Sequence, residues 1–226
     1  MNRESEFFVG YLPLPAGVKR HVRRVILSLG AIVAAIAGLL IGGQHPFPDA
    51  TFEFQQYREF RGTLLTSPYP ALVIPGEPQP WLLVGPGKHG AGALASGEVQ
   101  LRGERIFRGG DRMIELLPGS LQHVDTGTPP APDKDLGPVE LTGEIVDSKC
   151  YFGVMNPGNG KVHRDCAVRC ISGGVPPALR VRDANGHAMT LLLANFKHEL
   201  LNHIAEPVSI RGRLVRSSGR LTLFAE

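Results

Sequence analysis

The residues best suited to chemistry sit together: Cys150, Cys166 and Cys170 are the three cysteines of this 226-residue chain, and His163 lies among them. In KVHRDCAVRCISGG, His163, Cys166 and Cys170 fall at i, i+3 and i+7. That spacing predicts one face of a helix ending at Gly173-Gly174. Cys150 arrives from the end of the preceding strand, across YFGVMNPGNGK, and can close a Cys3His set. Thiolates and an imidazole in tetrahedral array suit zinc. Softer thiolate also suits Cu(I), and Cys3His can hold an iron–sulfur cluster. Met155 can add a thioether to a copper site, although methionine in such a loop also serves for packing.

Two other chemistries compete. In an oxidising compartment one disulfide from Cys150 to Cys166 or Cys170 would staple this segment; the odd cysteine count then leaves one thiol over. Alternatively, a thiol beside His163, Lys161, Arg164 and Arg169 would be acidified and nucleophilic. C-x-x-x-C is not the thioredoxin-type C-x-x-C, however, and no βαβ pattern surrounds it. Lys88-His89, His123, His187, His198 and His203 lie in loops, at strand ends or on a short predicted helix, where histidines serve ordinary surface and core roles. No nucleophile elbow, zincin, Walker, dinucleotide or haem-attachment motif is present, which counts against a self-contained enzyme.

The run T-G-x-I-V-D-S-x-C, then H-x-x-C-A-x-x-C and G-G-x-P-P, resembles a group of uncharacterised exported bacterial proteins sharing V-D-x-x-C…H-x-x-C-A-x-x-C. The matching residues are Val146, Asp147, Cys150, His163, Cys166, Ala167 and Cys170. The resemblance covers about a fifth of the chain and implies that Cys150, His163, Cys166 and Cys170 act as one unit; it carries no activity with it.

Location follows from charge and hydropathy. The chain has 24 Lys+Arg, 21 Asp+Glu and a net charge of +3. All of that excess lies in the first 24 residues, where Arg3, Lys19, Arg20, Arg23 and Arg24 face only Glu4 and Glu6. The remainder is balanced, which excludes the basic face a nucleic-acid binder needs. Val25–Gly43 is 19 residues without a charge, enough to cross roughly 30 Å of hydrocarbon. The reading is a cytoplasmic tail (1–21), one transmembrane helix (22–43) and everything beyond about His45 outside, in a bacterial inner membrane, oriented by the positive-inside rule. A cleaved signal peptide competes, but the apolar run is long and lacks a small-x-small site. The tail's EFFVGYLPLPAG reads as an interfacial segment or as a docking peptide for another membrane subunit.

The exported part reads as mainly β: two tandem OB-like barrels, 44–124 and 139–226, joined by a Pro-rich linker, 125–138, with a helical Cys/His insertion at 148–177 of the second. An internal duplication supports this. FRGTLL, VQLRG and RIFRGGDRMIEL recur in order as LTGEIV, VSIRG and RLVRSSGRLTLF, with Arg105, Arg108 and Arg112 matching Arg213, Arg216 and Arg220 at an offset of 108. In the second unit, strands Ala178–Asp183 and His187–Ala194 flank a hairpin. Asn195 then caps a helix, FKHELLNHIA, and two more strands follow; β-β-β-α-β-β is the OB order. In the first unit the loop GPGKHGAGALASG replaces the helix, and Trp81 fills the core. The functional expectation is a membrane-anchored periplasmic accessory protein with a metal or redox cofactor, as subunit or assembly factor of a membrane redox complex, or as a metal carrier. A metal-free protein–protein interaction module and a thiol oxidoreductase are the alternatives.

Overall fold

A computed structural model describes residues 15–44, 49–124, 132–183 and 185–226. The aromatic N-terminal segment lies outside them. Two compact units result, Met1–Pro46 and Phe47–Glu226. In the first, helix α1 (Ala16–Gly43) is long and apolar enough to cross a membrane. It starts ahead of the expected boundary, because Pro15 ends the preceding chain and nothing between Ala16 and Gly43 breaks a helix; Lys19, Arg20, Arg23 and Arg24 are therefore helical.

The second unit is two closed five-stranded barrels. Its strands are β1 (Thr51–Phe52), β2 (Arg58–Leu65), β3 (Ala71–Val73), β4 (Trp81–Val84), β5 (Gly97–Arg108), β6 (Asp111–Leu116), β7 (Gln122–His123), β8 (Lys134–Asp147), β9 (Pro177–Arg182), β10 (Ala188–Ala194), β11 (Pro207–Ser217) and β12 (Arg220–Ala225). The first barrel closes as β5-β2-β3-β4-β6, with β4 and β6 parallel. The second closes as β10-β12-β11-β8-β9, with β10 and β12 parallel. Taken in chain order the two connectivities are identical.

Side-chain alternation drives both. In β5, Val99 and Leu101 point inward while Gln100 and Arg102 face water. Trp81 joins Leu64, Leu72, Leu83, Val99, Leu101 and Ile114 in the first core. The second holds Ile145, Leu179, Leu193, Ile210 and Leu223.

Three expectations need correction. The hairpin registers pair Gly103 with Leu116 and Gly212 with Ala225, and likewise Arg108 with Asp111 and Ser217 with Arg220. The repeats thus superpose at an offset of 109 (Gly103 onto Gly212), and the arginine matches at 108 are one residue out. A one-residue slip in a strand reverses the face, so those arginines are not equivalent. Second, of the expected linker, 125–131 lie outside the described residues, and Lys134–Pro138 is strand, paired with Leu214, Arg213 and their neighbours of β11. Third, Asn195 is no helix cap: it has φ 56°, and the segment beyond it is a 3-10 turn, His198–His203, without a side-chain cap. Pro207 and the short span leave no room for a cooperative α-helix. The tandem barrels also pack against each other. Ala71, Leu82, Val84, Ile106 and Met113 of the first pack in one cluster with Val146, Tyr151, Phe152, Ala178 and Leu192 of the second. Polar pins cross the same seam: Tyr69 Oη donates to Leu193 O (2.6 Å), Thr190 Oγ1 to Asp111 Oδ2 (2.5 Å) and Arg108 Nε to Tyr151 O (2.5 Å).

Candidate metal centre

Between β8 and β9 the chain makes a π turn (Cys150–Val154), a 3-10 turn (Lys161–His163) and helix α2 (Arg164–Ser172). In α2, Ala167 and Ile171, four apart, face the core of the second barrel. Cys166 and Cys170, also four apart, lie on the neighbouring stripe and turn toward the seam. The π turn brings Cys150 to meet them, with Met155 N–H closing onto Cys150 O at 3.0 Å. All three are free cysteines whose sulfurs lie within 4.8 Å of one another, Cys150 and Cys170 buried and Cys166 half-buried. Cys150 and Cys166 Sγ are 4.0 Å apart. Tetrahedral zinc with Zn–S near 2.3 Å needs sulfurs roughly 3.8 Å apart, so the spacing fits a metal.

His163 precedes α2 rather than lying on its face, and the structure gives it a different partner. Its Nε2 lies 2.8 Å from Asp147 Oδ2, both side chains buried, and Asp147 Oδ1 accepts the Cys150 N–H, also at 2.8 Å. Asp147, Cys150 and His163 therefore form a second group with ligand atoms within 4.8 Å, sharing Cys150 with the sulfur set. Because Nε2 is the ring nitrogen that meets the carboxylate, ligation by His163 would fall to Nδ1, with Asp147 orienting the ring. Asp147 belongs to the V-D-x-x-C motif, whose spacing alone shows no role for it. Its place at a strand end is the signal: an acid three residues before a cysteine there can turn back onto that cysteine's backbone. Met155 is exposed, unlike the buried Cys150 and Cys170.

A further residue comes from the other barrel. Lys88, in the Gly-rich loop after β4, places Nζ 3.0 Å from Cys166 Sγ. Two contacts hold that loop. Lys149 Nζ, buried beside Cys150, donates to Gly85 O (2.8 Å) and Gly87 O (2.6 Å) and pairs with Glu115 (2.6 Å). At the other side Gly90 N–H donates to Gly173 O (3.0 Å) at the end of α2. Both Gly90 and Gly173 allow this approach because a Cβ on either would collide with the facing backbone.

Two of the three thiols are shifted in opposite directions. The hydrogen bond shared with Cys150 lowers Cys170 to about 7, against the opposing effect of burial and helped by the Lys88 charge. The same hydrogen bond, burial and the Asp147 carboxylate push Cys150 far up. The Cys166 sulfur raises Lys88, keeping its ammonium charged. Of the basic neighbours Lys161, Arg164 and Arg169, Arg164 turns instead to Asn202 O and Glu206, while Lys88 is the ammonium that meets a cysteine sulfur.

No protein family, curated protein or solved structure matches this chain.

Proposed function

We propose that this protein is a membrane-anchored metal-binding accessory protein whose site is Cys150, Cys166, Cys170 and His163, oriented by Asp147. One observation carries the reading: three cysteine sulfurs and a buried His–Asp pair converge on Cys150 at ligand spacing. The donor set of thiolates and an imidazole fits zinc, and also copper(I) or an iron–sulfur cluster. The shared order of strands, 1-2-3-5-4 with a parallel closing pair, supports the OB-like reading of both barrels. The apolar helix supports an anchor, and the basic cluster Lys19–Arg24 supports a cytoplasmic N-terminus with the barrels in the periplasm. Tethering concentrates such a site near membrane partners, which suits a subunit or assembly factor of a redox complex.

The test is elemental analysis and thiol counting on the full chain purified in detergent without oxygen. About one equivalent of metal, lost in Cys166→Ser and in His163→Ala, supports the proposal. Metal-free protein with one free thiol and one disulfide overturns it. That outcome would favour the second reading, a disulfide-stapled interaction module, for which the 4.0 Å approach of Cys150 and Cys166 is the supporting observation.

A further inference from the structure

We propose that Lys88 is a positioning residue of the metal site, delivered by the first barrel as the countercharge of thiolates held by the second. The inference rests on the metal reading above and adds a component that no ligand motif contains. Lys88 stands 78 residues from Cys166, yet its Nζ is 3.0 Å from that sulfur. Its placement is built, not incidental. The loop carrying it is tied on one side to Lys149, the residue before Cys150, and on the other to Gly173, which caps the helix bearing Cys166 and Cys170. The Lys88 loop is therefore hydrogen-bonded to both cysteine-bearing segments.

The chemistry explains why a cation belongs there. Three thiolates around a divalent ion leave one net negative charge, and two of these cysteines are buried. An uncompensated charge in such a place is costly, and an ammonium at the sulfurs offsets it. With the Asp147 carboxylate counted, a divalent ion and Lys88 leave one negative charge and a monovalent ion and Lys88 leave two, so the arrangement favours a divalent, thiolate-binding cation of the zinc type. Hydrogen bonding from Lys88 to Cys166 also fixes the rotamer of the half-buried ligand, as outer-shell donors do at metal sites.

Zinc affinity measured by chelator competition on the full chain in detergent tests this. Lys88 is exposed, so Lys88→Gln leaves packing intact, with the thermal midpoint as control. Lys88→Gln should bind zinc roughly 10-fold or more weakly than wild type, and Lys88→Arg should recover most of the loss. Because Lys88 is at the surface, the advantage of wild type over Lys88→Gln should shrink at about 1 M salt. Cobalt(II) substitution should show thiolate charge-transfer bands in both proteins, proving that the sulfurs still bind. Equal zinc affinities for wild type and Lys88→Gln, or an advantage indifferent to salt, overturn the inference while leaving the metal site standing. A wild-type protein that takes up no zinc defeats the metal reading itself, and this inference with it.

Discussion

Gly173→Ala gives the sharpest check on the way the two barrels meet, because two physical effects predict opposite signs. Gly173 has φ −81° and ψ 1°, a conformation alanine adopts, so loss of unfolded-state entropy alone would stabilise the protein by about 0.4–1 kcal/mol. The tertiary structure reverses that. A Cβ there would lie 3.2 Å from the carbonyl carbon of Lys88, strike its oxygen, and approach Arg169 O to 3.3 Å. Relieving this means moving the Lys88 loop, at roughly 1–3 kcal/mol of crowding, and weakening the Gly90–Gly173 hydrogen bond, worth about 1 kcal/mol. The net is a destabilisation of about 1–3.5 kcal/mol, or a drop of roughly 2–14 °C in Tm. Trp81, the single tryptophan and buried in the first barrel, reports unfolding by fluorescence. Gly110→Ala is the control: its Cβ meets nothing nearer than Gln79 Nε2 at 3.6 Å, and it should stay within about 0.5 kcal/mol. A Gly173→Ala protein as stable as wild type, or more so, would refute the reasoning.

Three further outcomes follow from the same structure. Asp147→Ala strands the buried His163 ring and the Cys150 N–H, and should cost about 3–5 kcal/mol in urea unfolding; a loss under about 1 kcal/mol would mean that the pair contributes little. Glu53 is held at about 2, from an ordinary 4.5, by hydrogen bonds from Arg105 and then Arg58. Its folded-state pKa is depressed, so its contribution is complete above pH 4.5 and is lost as pH falls toward about 2. Glu53→Gln should flatten the pH dependence of stability in that window, and an unchanged slope would count against the Arg105 pair. Finally, free zinc at about 100 times its dissociation constant should add roughly 2.7 kcal/mol to unfolding and raise Tm by about 5–10 °C, reversed by a chelator; an unmoved Tm would argue against a native-state site.

Part of the site was legible in residue order because local geometry governs it. Cys166 and Cys170 are one helical turn apart wherever they occur in a helix, and the Gly173-Gly174 pair ends that helix as its lack of side chains suggests. His163 was assigned to the same face by spacing, but the helix begins one residue later, so its ring answers to Asp147 and not to the helical repeat. The hairpins were legible for a similar reason: turn residues and period-two alternation are local. The arginine alignment misled because charge matching ignores register, whereas the Gly103 and Gly212 backbones, which admit no Cβ against the facing strand, report it.

By itself the sequence determined an apolar helix near the N-terminus, a balanced β-rich body repeated once, and one cluster of soft ligands, since each depends on composition or on neighbours a few residues apart. Only the tertiary structure decided that the two barrels share a core, that Asp147 ties Cys150 to His163, and that Lys88 of one barrel reaches Cys166 of the other. Those contacts are set by how closed sheets pack and where glycine lets backbones touch, and no short-range pattern encodes either.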